Sequence, residues 1–193
     1  MVELSRFSPD FIPSEWVVEM YAEDDARREV YFETLPVTLG GLDYSDLVLV
    51  NKYPGNPELF TGANTNYQHA PKVFRIAEMY LISAEAAVRS TGDAAATLNS
   101  LRVARGLEAL ASVTLEDVKE ERTRELAFEG FRLDDLKRWD EPMIRKDPQT
   151  LDAIQTGPGF HTLTKEEDAP KFIWGIPTHD ITINRNLEQN PGW

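Results

Sequence analysis

One helix in this sequence limits the fold more than any other feature. Between Val73 and Val88, apolar residues fall on two adjoining stripes: Phe74, Ala77, Leu81, Ala84 and Val88 on one, Val73, Ile76, Tyr80 and Ala87 on the other. Spacings of three and four residues put each stripe on one helical face. Only a narrow ridge of Arg75, Glu78, Glu85 and Arg89 is charged, and these side chains can pair one turn apart. A helix this apolar is expected to be covered on two sides, as the inner helix of a stacked array is.

The residues that follow supply its stop and its partner. Gly92 tolerates the left-handed C-cap conformation, Asp93 can cap a second helix at once, and that helix should run from Ala94 to Arg105 before Gly106 ends it. Ala95, Leu98, Leu101 and Val103 are its partner-facing residues, and the alanines permit close approach. Two antiparallel helices in about 34 residues have the shape of a tetratricopeptide-like unit, although many all-α folds contain such a pair. The expected fold class is therefore mainly α: tetratricopeptide-like helical hairpins with long irregular loops and a few short strands.

A third helix should start at Thr114, with Asp117 completing a capping box, and run to about Glu129 before Gly130. Leu115, Val118, Leu126, Ala127 and Phe128 are its apolar positions, but Arg122 and Glu125 lie within or beside that stripe. Some charge must then be internal. We expect a structural ion-pair network built from Arg75, Glu78, Glu85, Arg122, Glu125, Glu129, Arg132, Asp135 and Arg138. Glu125 and Glu129 are one turn apart, as an acid and base pair of a glycosidase could be. The surrounding arginines would keep both ionised, which suits a network and disables a general acid.

At 193 residues the chain is long enough for one domain, residues 1–193, with a substantial core. Its net charge of −13 argues against nucleic acid and anionic membrane surfaces as partners. With no cysteine there is no disulfide, thiol nucleophile, thiolate metal site or lipid-attachment residue in this sequence. His69, His161 and His179 have no metal-site spacing, and no phosphate loop, nucleophile elbow or acidic calcium loop occurs, so neither metal nor cofactor is expected.

Pro13 and Ser14 should open a short helix through Trp16 and Tyr21, leading to a charged end at Asp24, Asp25, Arg27 and Arg28 that either anchors it or pairs in solvent. From Tyr31 to Pro71, glycines and prolines interrupt any helix; one short strand is expected at Leu47–Val50 within an otherwise long loop. Sugar sites need aromatic faces for pyranose rings and amides for hydroxyls. Tyr44, Tyr53, Asn64, Asn66, Tyr67 and Gln68 supply that mixture and are the candidate glycan-binding residues; half-buried packing is the alternative for the tyrosines. Lys171–Ile176 is expected to form a short strand, with Trp174 and Trp193 as anchors of the tail.

The segments FRIAEMYLISAEAAVRSTGDAAATLNSLRVARG, ERTRELAFEGFRLDDLKRW and WGIPTHDITINRNLEQNPGW, in that order, resemble the C-terminal portion of the SusD/RagB family. The stretch FIPSEWVVEMYAEDDARREVYF resembles a family helix ending in Asp-x-Arg, here Asp25 and Arg27, so the likeness covers nearly the whole chain. The resemblance implies a lipid-anchored, surface-exposed protein of Bacteroidetes-type outer membranes. Such a protein would bind oligosaccharide or polysaccharide without catalysis and deliver it to a SusC-like TonB-dependent transporter. Family members normally begin with a signal, a lipidated cysteine and a larger N-terminal helical region. This sequence carries none of these, which fits either a C-terminal portion, the expected case, or a short relative; the only membrane contact implied is through that missing anchor. A portion should expose apolar surface and self-associate. No binding residue is carried over, because the family's sites lie on variable loops. A helical-repeat module that binds protein rather than glycan is the alternative function.

Overall fold

A computed structural model describes residues 9, 11–39, 41–59, 70, 72–90, 92–150, 164–166 and 169–193. The helical centre consists of α3 (Ile76–Arg89), α4 (Ala95–Ala104), α5 (Leu115–Glu125) and α6 (Arg132–Trp139), preceded by the short α1 (Glu15–Glu19) and α2 (Ala26–Tyr31). Helix α3 packs against both α4 and α5. Ala77, Leu81 and Ala84 meet Leu98 and Leu101 of α4 and Val118 of α5, with Leu126 closing the cluster. Leu81 and Leu98 are completely buried, which stabilises the fold by about 1.5–3 kcal/mol per side chain.

The apolar residues just before α3 and along its outer side are not covered by the described residues. Phe74 is 85% and Ile76 73% exposed, and Val73, Met79, Tyr80 and Ile82 are also exposed. The charged ridge differs from expectation too: Arg89 reaches Glu85 within the helix at 2.8 Å, but Arg75 and Glu78 pair with residues of α5 and its C-terminal turn.

The helix ends show why the segments stop where they do. Thr114 and Asp117 form the capping box: the Asp117 amide donates to Thr114 Oγ1, and the Thr114 amide donates to Asp117 Oδ2 at 2.8 Å. Helix α5 ends at Glu125, before the Glu129 expected from the sequence, because Phe128 (φ 64°) and Gly130 (φ 85°) turn the chain through left-handed backbone. The carbonyls this frees are satisfied by side chains. Lys52 Nζ donates to the carbonyls of Glu125 and Ala127 at 2.8 Å each, and Tyr21 Oη donates to that of Arg124 at 2.7 Å.

The largest departure from the sequence reading lies in residues 32–50. In place of a loop with one short strand there is an antiparallel hairpin, β1 (Phe32–Leu39) and β2 (Leu42–Val50), in register from Phe32↔Val50 to Leu39↔Leu42. Pro36, a helix and strand breaker on composition, sits where the register shifts between Leu35 and Val37, so its missing N–H costs no ladder bond. Gly41, with φ 84°, takes the left-handed turn position. Val37, Leu39, Leu47 and Leu49 form the hairpin's buried face.

Two further strand fragments, β3 (Met143–Ile144) and β4 (Thr164–Lys165), pair with each other. The strand expected at Lys171–Ile176 is absent: Pro170–Phe172 is a single 3₁₀ turn, for which proline at the first position is well suited. The helix α7 (Thr178–Ile183) and the tail follow. Trp193 lies against Gly175, where a Cβ would come within 2.7 Å of the indole, and its Nε1 donates to the Ile173 carbonyl at 2.9 Å. Trp174, expected as an anchor, is 71% exposed; its neighbours' backbone bonds are made, but its ring is not buried.

Candidate functional site

The polar centre of the molecule is assembled on α5. Asp25 caps α2, accepting from the Arg27 amide at 3.0 Å, and its carboxylate also holds the Arg27 side chain at 2.7 Å. Arg27 then spans to Glu121 at 2.7 Å and Glu125 at 3.0 Å. Glu125 accepts in addition from Arg75 at 2.9 Å and Arg105 at 2.8 Å. One turn on, Glu129 binds Arg75 and Lys52, both at 2.6 Å. Asp25, Arg27, Glu121 and Glu125 are all buried, so each charge depends on its partners.

The electrostatics follow from these contacts. Burial pushes the Glu125 carboxyl up, but the guanidinium bonds from Arg105 and Arg75 outweigh it and hold the group at about 2. Burial also works against the charge on Arg27, yet the bonded Asp25 and Glu121 raise it above its ordinary value. Lys52 goes the other way: loss of solvent, only partly offset by Glu129, lowers it to about 8.

A second group of charges joins α3 to α6. Glu85 Oε1 accepts from Arg138 at 2.5 Å, from Arg89 at 2.8 Å and from the indole N–H of Trp139 at 3.2 Å. Asp135 takes Arg122 and Arg138 at 2.8 Å each, and Glu78 lies 3.5 Å from Arg122. Burial raises Glu85, but its arginine bonds bring it down to about 2. Arg132, placed in the network on sequence grounds, makes no ion pair among the described residues. It donates to the Thr123 hydroxyl at 3.1 Å and its guanidinium lies 5.9 Å from the Trp139 ring centroid. The first helical turn of α6 points it back along α5 rather than towards α3.

Sequence reasoning left Asp25 and Arg27 undecided between anchoring and solvent, read Glu121 only as part of the charged run on the third helix, and missed Arg105 and Lys52 as network members. The only available signal for Arg105 was its place beside Gly106, and for Glu121 its place one turn before Glu125.

Of the candidate sugar-binding residues, Asn64, Asn66, Tyr67 and Gln68 lie outside the described residues. Tyr44 is half-buried opposite Val37, packs on the hairpin's apolar face, and its hydroxyl is buried without a hydrogen-bond partner among the described residues. Tyr53 is also half-buried, its hydroxyl raised by burial and then by Glu129. Tyr44 lies within β2, and Tyr53 lies three positions beyond the end of that strand.

Two cavities open beside α1. One, of about 420 Å³, is mostly apolar and is walled by Ile12, Val17, Leu126, Phe128 and Phe131. The other, of about 330 Å³, is polar and lies between α1, α5 and α6. Trp16, Thr123 and Arg132 border both. Among the described residues no cluster of histidine, aspartate and glutamate is arranged to hold a metal, and no helix is long and apolar enough to cross a membrane.

Comparison with known proteins gives consistent matches. The model of the SusD family matches residues 46–193. The starch-binding protein SusD of Bacteroides thetaiotaomicron is 34% identical over 122 residues, covering 63% of this chain and 21% of that protein. Surface glycan-binding protein A from Bacteroides uniformis superposes with a TM-score of 0.67 at 26% identity, over 91% of this chain and 40% of its own. A SusD superfamily protein from Bacteroides vulgatus gives 0.63 at 29% identity, over 88% and 36%. The chain thus spans no more than 40% of the length of any of these three relatives.

Proposed function

The chain belongs to the SusD family, and on that basis we propose that it binds glycan without catalysis at the outer-membrane surface, for delivery to a SusC-like TonB-dependent transporter. The observation that carries this reading is the family match over residues 46–193, together with relatives described as starch-binding and as surface glycan-binding.

The chemistry of the polar centre supports binding over hydrolysis. A glycosidase needs one carboxyl that stays protonated and one that does not. Glu125 is held ionised by Arg27, Arg75 and Arg105, and Glu129 is bonded by Arg75 and Lys52. Neither is open to a substrate, and Glu125 at about 2 cannot act as a general acid near neutral pH. The network instead fixes α2, α3 and α5 relative to one another.

Electrophoresis through native gels containing starch, mannan, xylan, pectin or fructan tests the reading. Retardation by one polysaccharide class, without release of reducing ends on prolonged incubation, is the expected result. Reducing sugar that accumulates with time and enzyme concentration would overturn the non-catalytic assignment. The exposed apolar residues in and just before α3 favour a protein contact as well, so binding to a protein with no retardation in any gel would favour the helical-repeat module reading.

A further inference from the structure

We infer that the polar cavity between α1, α5 and α6 binds a terminal sugar unit of a neutral oligosaccharide, with Trp16 as its aromatic platform; this rests on the glycan-binding reading above and gives it a location. The cavity is built from a face of α5 that the core does not use. Val118, Glu121, Arg122 and Glu125 point inward, which leaves Glu116, Lys119, Glu120 and Thr123, at spacings of three and four, as a second stripe along one wall. Trp16 of α1 and Met20, which caps its C-terminal end, face that stripe, and Arg132, Trp139 and Glu141 close the end.

Three properties of this wall fit a sugar. Trp16 remains 36% exposed and borders the cavity, so an apolar ring surface is available to the C–H face of a pyranose. Around it, three cations (Lys119, Arg124, Arg132) are matched by three carboxylates (Glu116, Glu120, Glu141), with Lys119 paired to Glu116 and Glu141 and Arg124 to Glu120, so the wall presents polar pairs to hydroxyls and no net attraction for an ion. The Nε of Arg124 is buried and has no hydrogen-bond partner among the described residues, although the same guanidinium meets Glu121 at 3.0 Å. A buried donor left unsatisfied costs free energy that a hydroxyl acceptor recovers. Tyr44 and Tyr53, by contrast, border neither cavity.

The platform is also held in place before any ligand arrives. The Glu15 amide donates to the Asp147 carbonyl at 3.2 Å, and Ser14 bridges Pro148. Gln149 fixes the same segment from behind, its amide donating to the carbonyls of Pro13 and Val48 at 2.9 Å each and accepting from the Val48 amide at 2.9 Å. Preorganisation of this kind lowers the ordering cost of binding. A volume of about 330 Å³ lies at the lower end of small-ligand sites, which run roughly 300–1,000 Å³, as expected for one end of a chain rather than its whole length.

The test is a calorimetric titration of the chain with maltohexaose, laminarihexaose, xylohexaose, mannohexaose and inulin oligomers, repeated on Trp16→Ala, Trp16→Phe and Glu120→Gln after thermal melts show each folded. For whichever sugar binds the parent, Trp16→Ala should weaken affinity about tenfold or more, Trp16→Phe should restore most of it, and Glu120→Gln should weaken it severalfold. Parental affinity in all three variants would overturn the cavity assignment while leaving the glycan reading intact. A parent that binds none of the probes overturns both.

Discussion

Arg27 and Glu125 meet 3.0 Å apart in the interior, joined across 98 positions of sequence, with side chains 2% and 0% exposed. This contact locks the short α2 against the C-terminal end of α5. It is one of three arginine contacts to Glu125, the others coming from Arg75 and Arg105. Glu125→Ala therefore leaves Arg105 without its carboxylate and takes one bond each from the buried Arg27 and from Arg75, which keep Asp25, Glu121 and Glu129, and breaking this network should cost about 3–5 kcal/mol. Urea unfolding of the purified variant measures it. A variant that unfolds at the parental midpoint yet has lost ligand binding would show the residue to be functional rather than structural.

The acid limb of stability should follow the same carboxylates. Glu85 and Glu125 sit at about 2 in the folded chain against an ordinary value of 4.5. A folded value below the unfolded one means the contribution is complete above 4.5 and is lost as pH falls towards 2. Denaturant midpoints taken between pH 7 and pH 3 should stay level and then drop below about pH 4.5. Arg138→Met should flatten part of that drop, because it removes one of the groups that hold Glu85 down.

Lys52 makes a signature of the same sign on the alkaline side. Its folded value of about 8 lies below the ordinary 10.5, so in that window the unfolded chain binds more protons than the folded one. Stability contributed by this group rises with pH from about 8 to 10.5. The stability difference between the parent and Lys52→Met should accordingly grow in the parent's favour from pH 7.5 to 9.5. A difference that is constant with pH would mean that Lys52 keeps an ordinary ammonium.

Gly106 joins α4 to the entry of α2. Its φ is 87°, and a Cβ would lie 2.4 Å from the Asp24 carbonyl oxygen, a backbone atom that cannot move aside cheaply. Gly106→Ala should lose about 1–3 kcal/mol from the left-handed backbone alone, and more from the clash. The same displacement would loosen Asp25 and Arg27, so differential scanning calorimetry should show a lower Tm, whereas Gly130→Ala, with open space at its Cβ, should lose only the conformational part.

The uncovered apolar residues in and just before α3 should make the chain self-associate. Val73, Phe74, Ile76 and Tyr80, close together in sequence, are all exposed, and monomers rarely expose large apolar patches. Sedimentation velocity should show a weight-average mass that rises with concentration. Ile76→Asp with Phe74→Ser should return it to the monomer value without lowering Tm, since neither side chain is part of the core.

The helical centre was readable because its signals are local: Gly92 and Gly106 punctuate it, Thr114 and Asp117 cap it, and Leu81, Leu98 and Leu101 keep helical spacing. The β1–β2 hairpin was not, because Pro36 and Gly41 read as breakers when they in fact mark a bulge and a left-handed turn position. Burial of the α5 charges followed from Arg122 and Glu125 falling on an apolar stripe, but their partners Arg27, Arg105 and Lys52 arrive through tertiary packing that no spacing encodes. Arg132 was misplaced for the same reason: proximity in sequence to Asp135 does not set the direction of its side chain. The Trp16 cavity depends on α1, whose entry Gln149 holds through the Pro13 carbonyl, a contact between residues more than a hundred positions apart.

The measurement that tests the central claim most directly is isothermal titration of the chain with oligosaccharides from starch, mannan, xylan, pectin, host-type glycans and fructan, with the recovered sugar sized afterwards. The account predicts saturable binding to one class and recovery of that sugar at its original length. Binding accompanied by shortened products, or no heat with any class at millimolar sugar, would contradict it.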